Sequence, residues 1–145
     1  MNNKKKGNRG ELEIAKLLTK ITGTDWKRVP ASGALFTTKT HEMFKGDVYT
    51  LDPEYKGVVV EVKNWKGKIS INDMYNDNSR FNKAIIQTVN ESYNSECGLF
   101  FFKSGGKWFW TNIRRGDSNI VDCLMSDSTR VIGDYWKLEI NKDDI

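Results

Sequence analysis

Two charged side chains interrupt an apolar stretch of the sequence, VVVEVK at residues 58–63. Glu61 and Lys63 are two residues apart, and a β-strand directs such residues to the same face. A buried charge costs on the order of several kcal/mol unless it is paired with an opposite charge or binds a metal. The pair is therefore either a structural salt bridge or part of a site that uses charge.

A second acid precedes this strand by one hairpin. Asp47 begins a β-type segment at residues 47–51, and a turn at residues 52–56 joins it to the strand at residues 57–64. An antiparallel hairpin of this length can place Asp47 beside Glu61. Two neighbouring carboxylates supply the oxygen ligands that a hard cation such as Mg²⁺ prefers.

A third acid aligns with the inner face of a predicted helix. Residues 8–23 have apolar side chains at spacings of three and four, and Gly23 ends the pattern. Extending the apolar stripe backwards from Ile14 reaches Glu11, whereas Glu13 falls on the predicted solvent face. Helix starts favour acids for dipole reasons alone, so Glu11 is either a third metal ligand or a helix-terminal charge.

Phosphodiester hydrolysis needs the combination that these residues offer. Carboxylate oxygens hold one or two divalent cations, which polarise the phosphate and generate hydroxide. An adjacent ammonium stabilises charge or orients the attacking water, and Lys63 is placed for that role. The sequence predicts a metal-dependent nuclease site formed by Glu11, Asp47, Glu61 and Lys63.

The order of these residues resembles the PD-(D/E)xK nuclease motif, with Gly46 where the family usually has proline. A closer resemblance is to archaeal-type Holliday junction resolvases, which have a Lys-Gly-x-x-x-Glu helix followed by an Arg-x-x-x-Ser-Gly loop. Here these motifs are 6-KGNRGE-11 and 28-RVPASG-33. The arginine that commonly follows the first glutamate is Leu12, and the connection at residues 33–46 is longer than usual.

The resemblance implies a homodimeric endonuclease that resolves four-way DNA junctions and depends on Mg²⁺, with Mn²⁺ as a substitute. It implies metal binding by the acids Glu11, Asp47 and Glu61 together with the carbonyl of Val62. Lys63 would orient the attacking water, and Arg28 and Ser32 would contact the phosphate region at the cleavage point. The residues expected to contact DNA are basic: Lys4, Lys5, Lys6, Arg9, Arg28, Lys66 and Lys68.

Composition agrees with a single domain, and its excess of positive charge near the N-terminus indicates either a polyanion partner or a solvated, disordered tail. The chain has 145 residues, of which 38% are hydrophobic, and a formal net charge of +4. No apolar run is long enough to cross a membrane and the start is not a secretory signal, so we expect a cytoplasmic protein without a membrane partner or an organic cofactor. Cys97 and Cys123 have no partner pattern and are expected to be reduced thiols.

The order of predicted elements indicates an α/β domain with a central mixed sheet flanked by helices, as in restriction endonucleases. After the first helix come a strand ending at Pro30, the hairpin described above, and a helix at residues 73–94. An aromatic hairpin at residues 99–113 turns through two glycines, and strands are predicted near residues 120–124 and 135–140. We expect one nuclease domain at residues 1–145, with a flexible basic arm at residues 1–6 and an extension of uncertain role at residues 114–145.

The aromatic hairpin contains Trp108 and Trp110, which are expected to pack rather than to stack on bases. Its apolar residues 100–102 and 108–110 are a predicted source of dimer surface. Three functions remain open at this stage. They are a junction resolvase, a related nuclease that acts on linear or foreign DNA, and a basic DNA-binding module whose acids are structural.

Overall fold

The computed structural model describes residues 3–30, 46–113 and 118–139. Within these residues a seven-stranded mixed sheet is flanked by helices, which confirms the predicted α/β class and agrees with a restriction-endonuclease-like core. The helices are α1 (Asn3–Thr22), α2 (Ile71–Tyr75), α3 (Arg80–Glu91) and α4 (Asn119–Ser126). The strands are β1 (Trp26–Arg28), β2 (Val48–Thr50), β3 (Val58–Lys63), β4 (Cys97–Ser104), β5 (Lys107–Asn112), β6 (Ser128–Ile132) and β7 (Tyr135–Leu138).

The strands lie in the order β1-β2-β3-β4-β5-β7-β6. β3 and β4 are parallel, and every other neighbouring pair is antiparallel. A parallel pair needs a crossover connection, and α2 and α3 lie in the connection between β3 and β4. The predicted antiparallel hairpin of β2 and β3 is confirmed, with a 3₁₀ turn at Pro53–Tyr55 between the strands.

Each face of the sheet has its own apolar core. On one face, Ile14 and Leu18 of α1 and Leu124 of α4 pack over the sheet together with Val60 and Val62. On the other face, Phe81 and Ala84 of α3 pack with Phe100 and Phe102. Successive residues of β3 alternate between these faces, and Glu61 is in register with Phe100. Glu61 therefore lies on the α3 face.

Helix α1 differs from its prediction in two ways. It begins at Asn3, so residues 3–6 continue the helix instead of forming the expected flexible arm. The prediction that Glu13 faces solvent is also wrong, because its side chain is only 13% exposed and Lys103 Nζ lies 3.6 Å from Glu13 Oε2. The apolar stripe of α1 is wide enough to include Leu17, and the acid at its border contacts the neighbouring end of β4.

The helix predicted at residues 73–94 is two helices with a break at residues 76–79. Ser70 caps α2 in a capping box with Asp73, and the Ser79 side chain accepts a hydrogen bond from Asn82 N–H at the start of α3. The amide of Asn82 donates to the carbonyl of Asn76 at 2.6 Å, which holds the break in place.

The strand predicted near residues 120–124 is wrong, since this segment belongs to α4. Ile120 and Leu124 are four residues apart and fully buried, as expected for one face of a helix. The strand predicted at residues 135–140 is confirmed as β7, whereas β6 was not predicted. The described part of the C-terminal extension therefore widens the sheet, because β7 pairs with β5 and β6 with β7.

The aromatic hairpin of β4 and β5 is confirmed, and Gly105 and Gly106 have the positive φ angles its turn requires. Trp110 is 1% exposed and stacks on Trp136 of β7, which confirms the packing interpretation of the tryptophans. Residues 100–102 are also buried, so the prediction that this hairpin supplies dimer surface is wrong. The cause is that β7 covers its outer edge and helices cover both faces.

Both cysteines are free thiols, and Cys97 is buried while Cys123 is partly exposed. Burial raises the pKa of the Cys97 thiol to about 12. Across the described ranges, no helix combines the length and the apolar character needed to cross a membrane.

Candidate active site

Asp47 is held by hydrogen bonds to β3 and to the residue that directly follows β1. Its carbonyl accepts from Val29 N–H at 2.8 Å, and its N–H donates to the Val60 carbonyl at 2.7 Å. Its side-chain Oδ2 accepts from Val62 N–H at 2.8 Å. The carboxylate is therefore fixed against the backbone of the strand that carries Glu61 and Lys63.

Gly46 makes this close approach possible. Its φ is +83°, and an ideal Cβ at this position would lie 2.5 Å from the Val60 carbonyl oxygen. Proline, which the motif usually has here, is restricted to φ near −65° and could not adopt this conformation. The departure from the usual motif is thus required by the path of the chain into Asp47.

Glu61 is buried, with 2% of its surface exposed, and the carboxyls of Glu91 and Asp47 lie close enough to affect its pKa. Burial, the Glu91 contact and the Asp47 charge together raise the pKa of Glu61 to about 11. Burial also raises the pKa of Asp47. Carboxyls this close cannot all be ionised at low cost unless a cation lies among them.

Glu91 was not predicted from the sequence. It lies at the end of α3, where Gln87 Nε2 donates to Glu91 Oε1 at 3.1 Å. Phe81, Ala84 and Thr88 form the buried stripe of α3, and a further step of three reaches Glu91. That spacing, which also revealed Glu11 in the first helix, was the signal in the sequence.

Glu11 and Arg28 contact each other. Arg28 Nε donates to Glu11 Oε2 at 3.2 Å, and Arg28 Nη2 donates to Asn8 Oδ1 at 2.8 Å. Burial and the Asp47 charge raise the pKa of Glu11, while Arg28 and Lys63 act in the opposite direction. Glu11 is therefore close enough to be affected by Asp47, but its carboxylate is oriented toward Arg28.

Gly10 brings α1 close to the end of β3. An ideal Cβ at Gly10 would lie 2.6 Å from Asn64 Cβ, so only glycine fits without a shift. The Asn64 side chain donates to the Lys6 carbonyl at 2.9 Å across the same contact. This approach positions Glu11, the next residue of the helix, beside the end of the strand.

Lys63 ends β3 and is partly exposed. Its charge lowers the pKa of both Asp47 and Glu11, so the ammonium lies within electrostatic range of two acids. No ion pair joins it to Glu61, and both residues lie in the described part of the chain. The groups that act on the pKa of Glu61 are instead other acids, which is not the arrangement of a simple salt bridge.

The donor chemistry of this cluster fits a hard divalent cation. Asp47 and Glu61 lie close enough for each to affect the pKa of the other, and the Val62 carbonyl points to the same side of β3 as the N–H that binds Asp47. Among residues 3–30, 46–113 and 118–139, no three His, Cys, Asp or Glu side chains are already arranged around one metal position. The orientation of Glu11 toward Arg28 is consistent with that result.

The predicted DNA-contacting residues border the same end of the sheet. Lys5 and Arg9 of α1 are exposed, as are Lys66 and Lys68 just after β3. The contact between Asn64 and α1 described above joins these two groups. Ser32, the side chain of Lys4 and most of the 33–46 connection lie outside the described residues.

A mixed sheet with Asp47 at the start of one strand and Glu61-x-Lys63 on the next defines a nuclease of the PD-(D/E)xK class. The chain belongs to the family described as "Phage putative PDDEXK endonuclease", whose model matches residues 2–142. Nucleases of this superfamily generally use divalent metals. The match supports the superfamily and does not extend to the archaeal resolvase type.

The chain is also similar to Protein D14 of Escherichia phage T5. The two are 33% identical over 140 residues, which cover 91% of this chain and 82% of that protein. No solved structure matches the chain.

Proposed function

We propose that the protein is a Mg²⁺-dependent endodeoxyribonuclease that resolves four-way DNA junctions by paired phosphodiester hydrolysis. The observation that carries the nuclease assignment is the hydrogen bond from Val62 N–H to Asp47, which assembles the two halves of the PD-(D/E)xK motif. Membership of a phage endonuclease family supports it independently.

The junction assignment rests on the two further motifs. Arg28 and Glu11, which come from the loop and the helix that resemble those of junction resolvases, contact each other at 3.2 Å. Their contact lies close enough to Asp47 for the Asp47 charge to act on Glu11. A contact between residues 17 positions apart is a stronger argument than either motif alone.

Asp47, Glu61 and the Val62 carbonyl would hold the cation, with Glu11 as a further acid. When bound, the cation polarises the phosphate and lowers the pKa of a bound water. Lys63 stabilises the charge that develops on the phosphate and orients the attacking water. Arg28 keeps donors beyond those used by Glu11 and Asn8, and these together with Ser32 bind the phosphate beside the cleaved bond.

Resolution of a junction requires two symmetry-related cuts, so the active form is a homodimer with a twofold axis. Phosphates outside the active site are bound by the exposed basic residues on α1 and after β3. Such contacts position DNA without reading bases, so affinity depends on junction shape and falls steeply with salt. Light scattering with and without junction DNA measures the assembly.

The test is cleavage of labelled four-way junction, linear duplex and single strand, side by side, with Mg²⁺, Mn²⁺ or EDTA. We expect paired nicks in the junction with either metal and none in EDTA. Equal cleavage of linear duplex by a monomer would replace the resolvase with a related nuclease of linear or foreign DNA. Binding of all substrates without cleavage at any metal concentration would leave only a DNA-binding module.

A further inference from the structure

The segment at residues 64–68, directly after Lys63, is exposed at Lys66 and Lys68 and yet is fixed from both sides. Its Gly67 carbonyl accepts from Gly105 N–H at 2.7 Å, which ties it to the turn between β4 and β5. With the Asn64 contact to α1 at its start, the segment is anchored at both ends. Its lysines therefore project from a rigid support.

Trp65 anchors the middle of the segment. Its ring lies 6.1 Å from the rings of Phe100 and Phe102 and 6.3 Å from that of Phe81, measured between centroids. Phe102 is in register with Lys63 on the neighbouring strand. Trp65 therefore covers the sheet face that bears Lys63, immediately beside the candidate active site.

Arg80, the first residue of α3, is held against this tryptophan. Its guanidinium carbon lies 5.0 Å from the centre of the Trp65 ring, and Nη2 donates to the Lys66 carbonyl at 3.2 Å. Hydrogen bonds from Ser70 N–H and Ser70 Oγ lower the pKa of Asp73, and the nearby charge of Arg80 acts in the same direction. Arg80 is exposed and retains further N–H donors for a ligand.

The backbone between the two lysines is also accessible. Gly67 has φ of +82°, and no heavy atom lies within 4 Å of an ideal Cβ at this position. Lys66 and Lys68 flank this glycine along the chain, and Arg80 donates to the carbonyl of Lys66 beside it. This arrangement suits a chain of phosphates, since a planar guanidinium on an aromatic support binds a phosphate oxygen pair with little loss of side-chain freedom.

We propose that Arg80 is a further DNA-binding residue, and that with Lys66 and Lys68 it holds the DNA backbone next to the phosphate being cleaved. Trp65 acts as a positioning residue that fixes the orientation of the guanidinium. This inference rests on the proposed function, because it supposes that the strand bound near Lys63 is DNA.

The experiment measures DNA binding in EDTA by fluorescence anisotropy, with the full chain carrying Asp47→Asn and with labelled duplex and junction at several NaCl concentrations. We expect Arg80→Ala to weaken both affinities about 3- to 10-fold near 0.1 M salt and to reduce the slope of log affinity against log salt by about one. The matched control is Lys56→Ala, which removes an exposed cation from the turn at the opposite end of β3.

Trp65→Phe keeps an aromatic side chain in the core but provides a weaker support for a cation. It should lower affinity in the presence of Arg80 and have no further effect in the Arg80→Ala protein, as a double-mutant cycle would show. Equal losses in both backgrounds would assign Trp65 to packing alone and overturn its positioning role.

If the Arg80→Ala protein binds DNA with the same affinity and the same salt slope as the Lys56→Ala protein, the proposal for Arg80 is overturned. In that case binding by the parent protein would leave the nuclease assignment intact. Failure of the parent protein to bind either DNA at low salt would instead contradict the proposed function itself. The two failures are therefore distinguishable in one titration.

Discussion

The carboxylate of Asp47 accepts a hydrogen bond of 2.8 Å from the backbone N–H of Val62. Val62 is the residue between Glu61 and Lys63. The bond therefore fixes Asp47, the first acid of the motif, against the middle residue of the Glu61-x-Lys63 segment. The position of the Asp47 carboxylate is therefore tied to the backbone of β3. This relationship determines which substitutions should be informative.

Asp47→Asn should abolish cleavage and leave junction binding almost unchanged. The amide oxygen can still accept from Val62 N–H, but a negative charge for the cation is lost, and we expect a rate decrease of at least about 100-fold. Removing a carboxylate does not weaken attraction to phosphates. Asp122→Asn on the exposed side of α4 is the control, and Asp47→Asn protein that cuts at the parent rate would refute the metal assignment.

Lys63→Ala distinguishes a catalytic role of the Lys63 ammonium from a structural role. We expect single-turnover cleavage to fall by about 100-fold or more, with a melting temperature within a few degrees of the parent protein. A salt bridge with Glu61 would give the reverse, since its removal leaves a buried charge uncompensated. Measuring both quantities on one preparation decides between them.

The acid cluster predicts how stability depends on pH in EDTA. The pKa of Glu61 is raised from 4.5 to about 11, so its contribution is fully present below pH 4.5 and is lost progressively as pH rises toward 11. Asp47 and Glu11, whose pKa values are also raised, act in the same direction. The melting temperature should therefore fall between about pH 5 and pH 9, and Glu61→Gln should reduce this slope.

Mg²⁺ should offset the same loss, because a cation replaces protons among the carboxyls. The comparison is a melting series from pH 5 to pH 9 with Mg²⁺ and with EDTA. Parallel curves for parent and Glu61→Gln proteins would show that the cluster does not control the pH dependence.

Glu91→Ala should weaken metal binding through Glu61. Partners of ligating carboxylates commonly affect affinity by about 10- to 100-fold, and we expect the Mg²⁺ midpoint of cleavage to rise within that range. Glu91→Gln keeps hydrogen-bonding groups near Glu61 and should have a smaller effect. Asn90→Ala, at an exposed position on the same helix, is the control, and an unchanged midpoint in Glu91→Ala would exclude Glu91 from the site.

Gly46→Ala should destabilise the protein more than Gly23→Ala. Both glycines have positive φ, but only Gly46 would place its new Cβ against the Val60 carbonyl, while Gly23 has open space. The strain of positive φ alone costs about 1 kcal/mol. Urea unfolding of both variants measures the difference, and equal losses would mean that the approach to Val60 imposes no further cost.

The parts of the fold that were predictable are those with local patterns. The valines around Glu61 and the glycines of the aromatic hairpin identify their strands without tertiary information. Residues 120–124 were misassigned because a short apolar run suits a strand or a buried helix equally, and the deciding cap, Ser118, lies outside the run. The break at residues 76–79 does not follow from the sequence pattern, because Ser79 acts as a cap only once its partner Asn82 is in place.

The site was predictable in its acids and less so in their contacts. Asp47 beside Glu61 follows from the hairpin, because the turn length limits the pairing. The contact of Glu11 with Arg28 and the contact of Glu91 with Glu61 join separate elements, and no spacing along the chain encodes which side chains meet. The orientation of the Glu11 carboxylate toward Arg28 could only come from the structure.

The parallel pairing of β3 with β4 has a consequence for a chain still emerging from the ribosome. Glu11, Asp47 and Glu61 are all synthesised before Glu91. The strand β3, which bears Glu61, can pair with β4 only after β4 is complete at Ser104. Contacts between distant residues form late in folding. A nascent chain that has not reached Ser104 should therefore carry Glu11, Asp47 and Glu61 without being able to cut DNA.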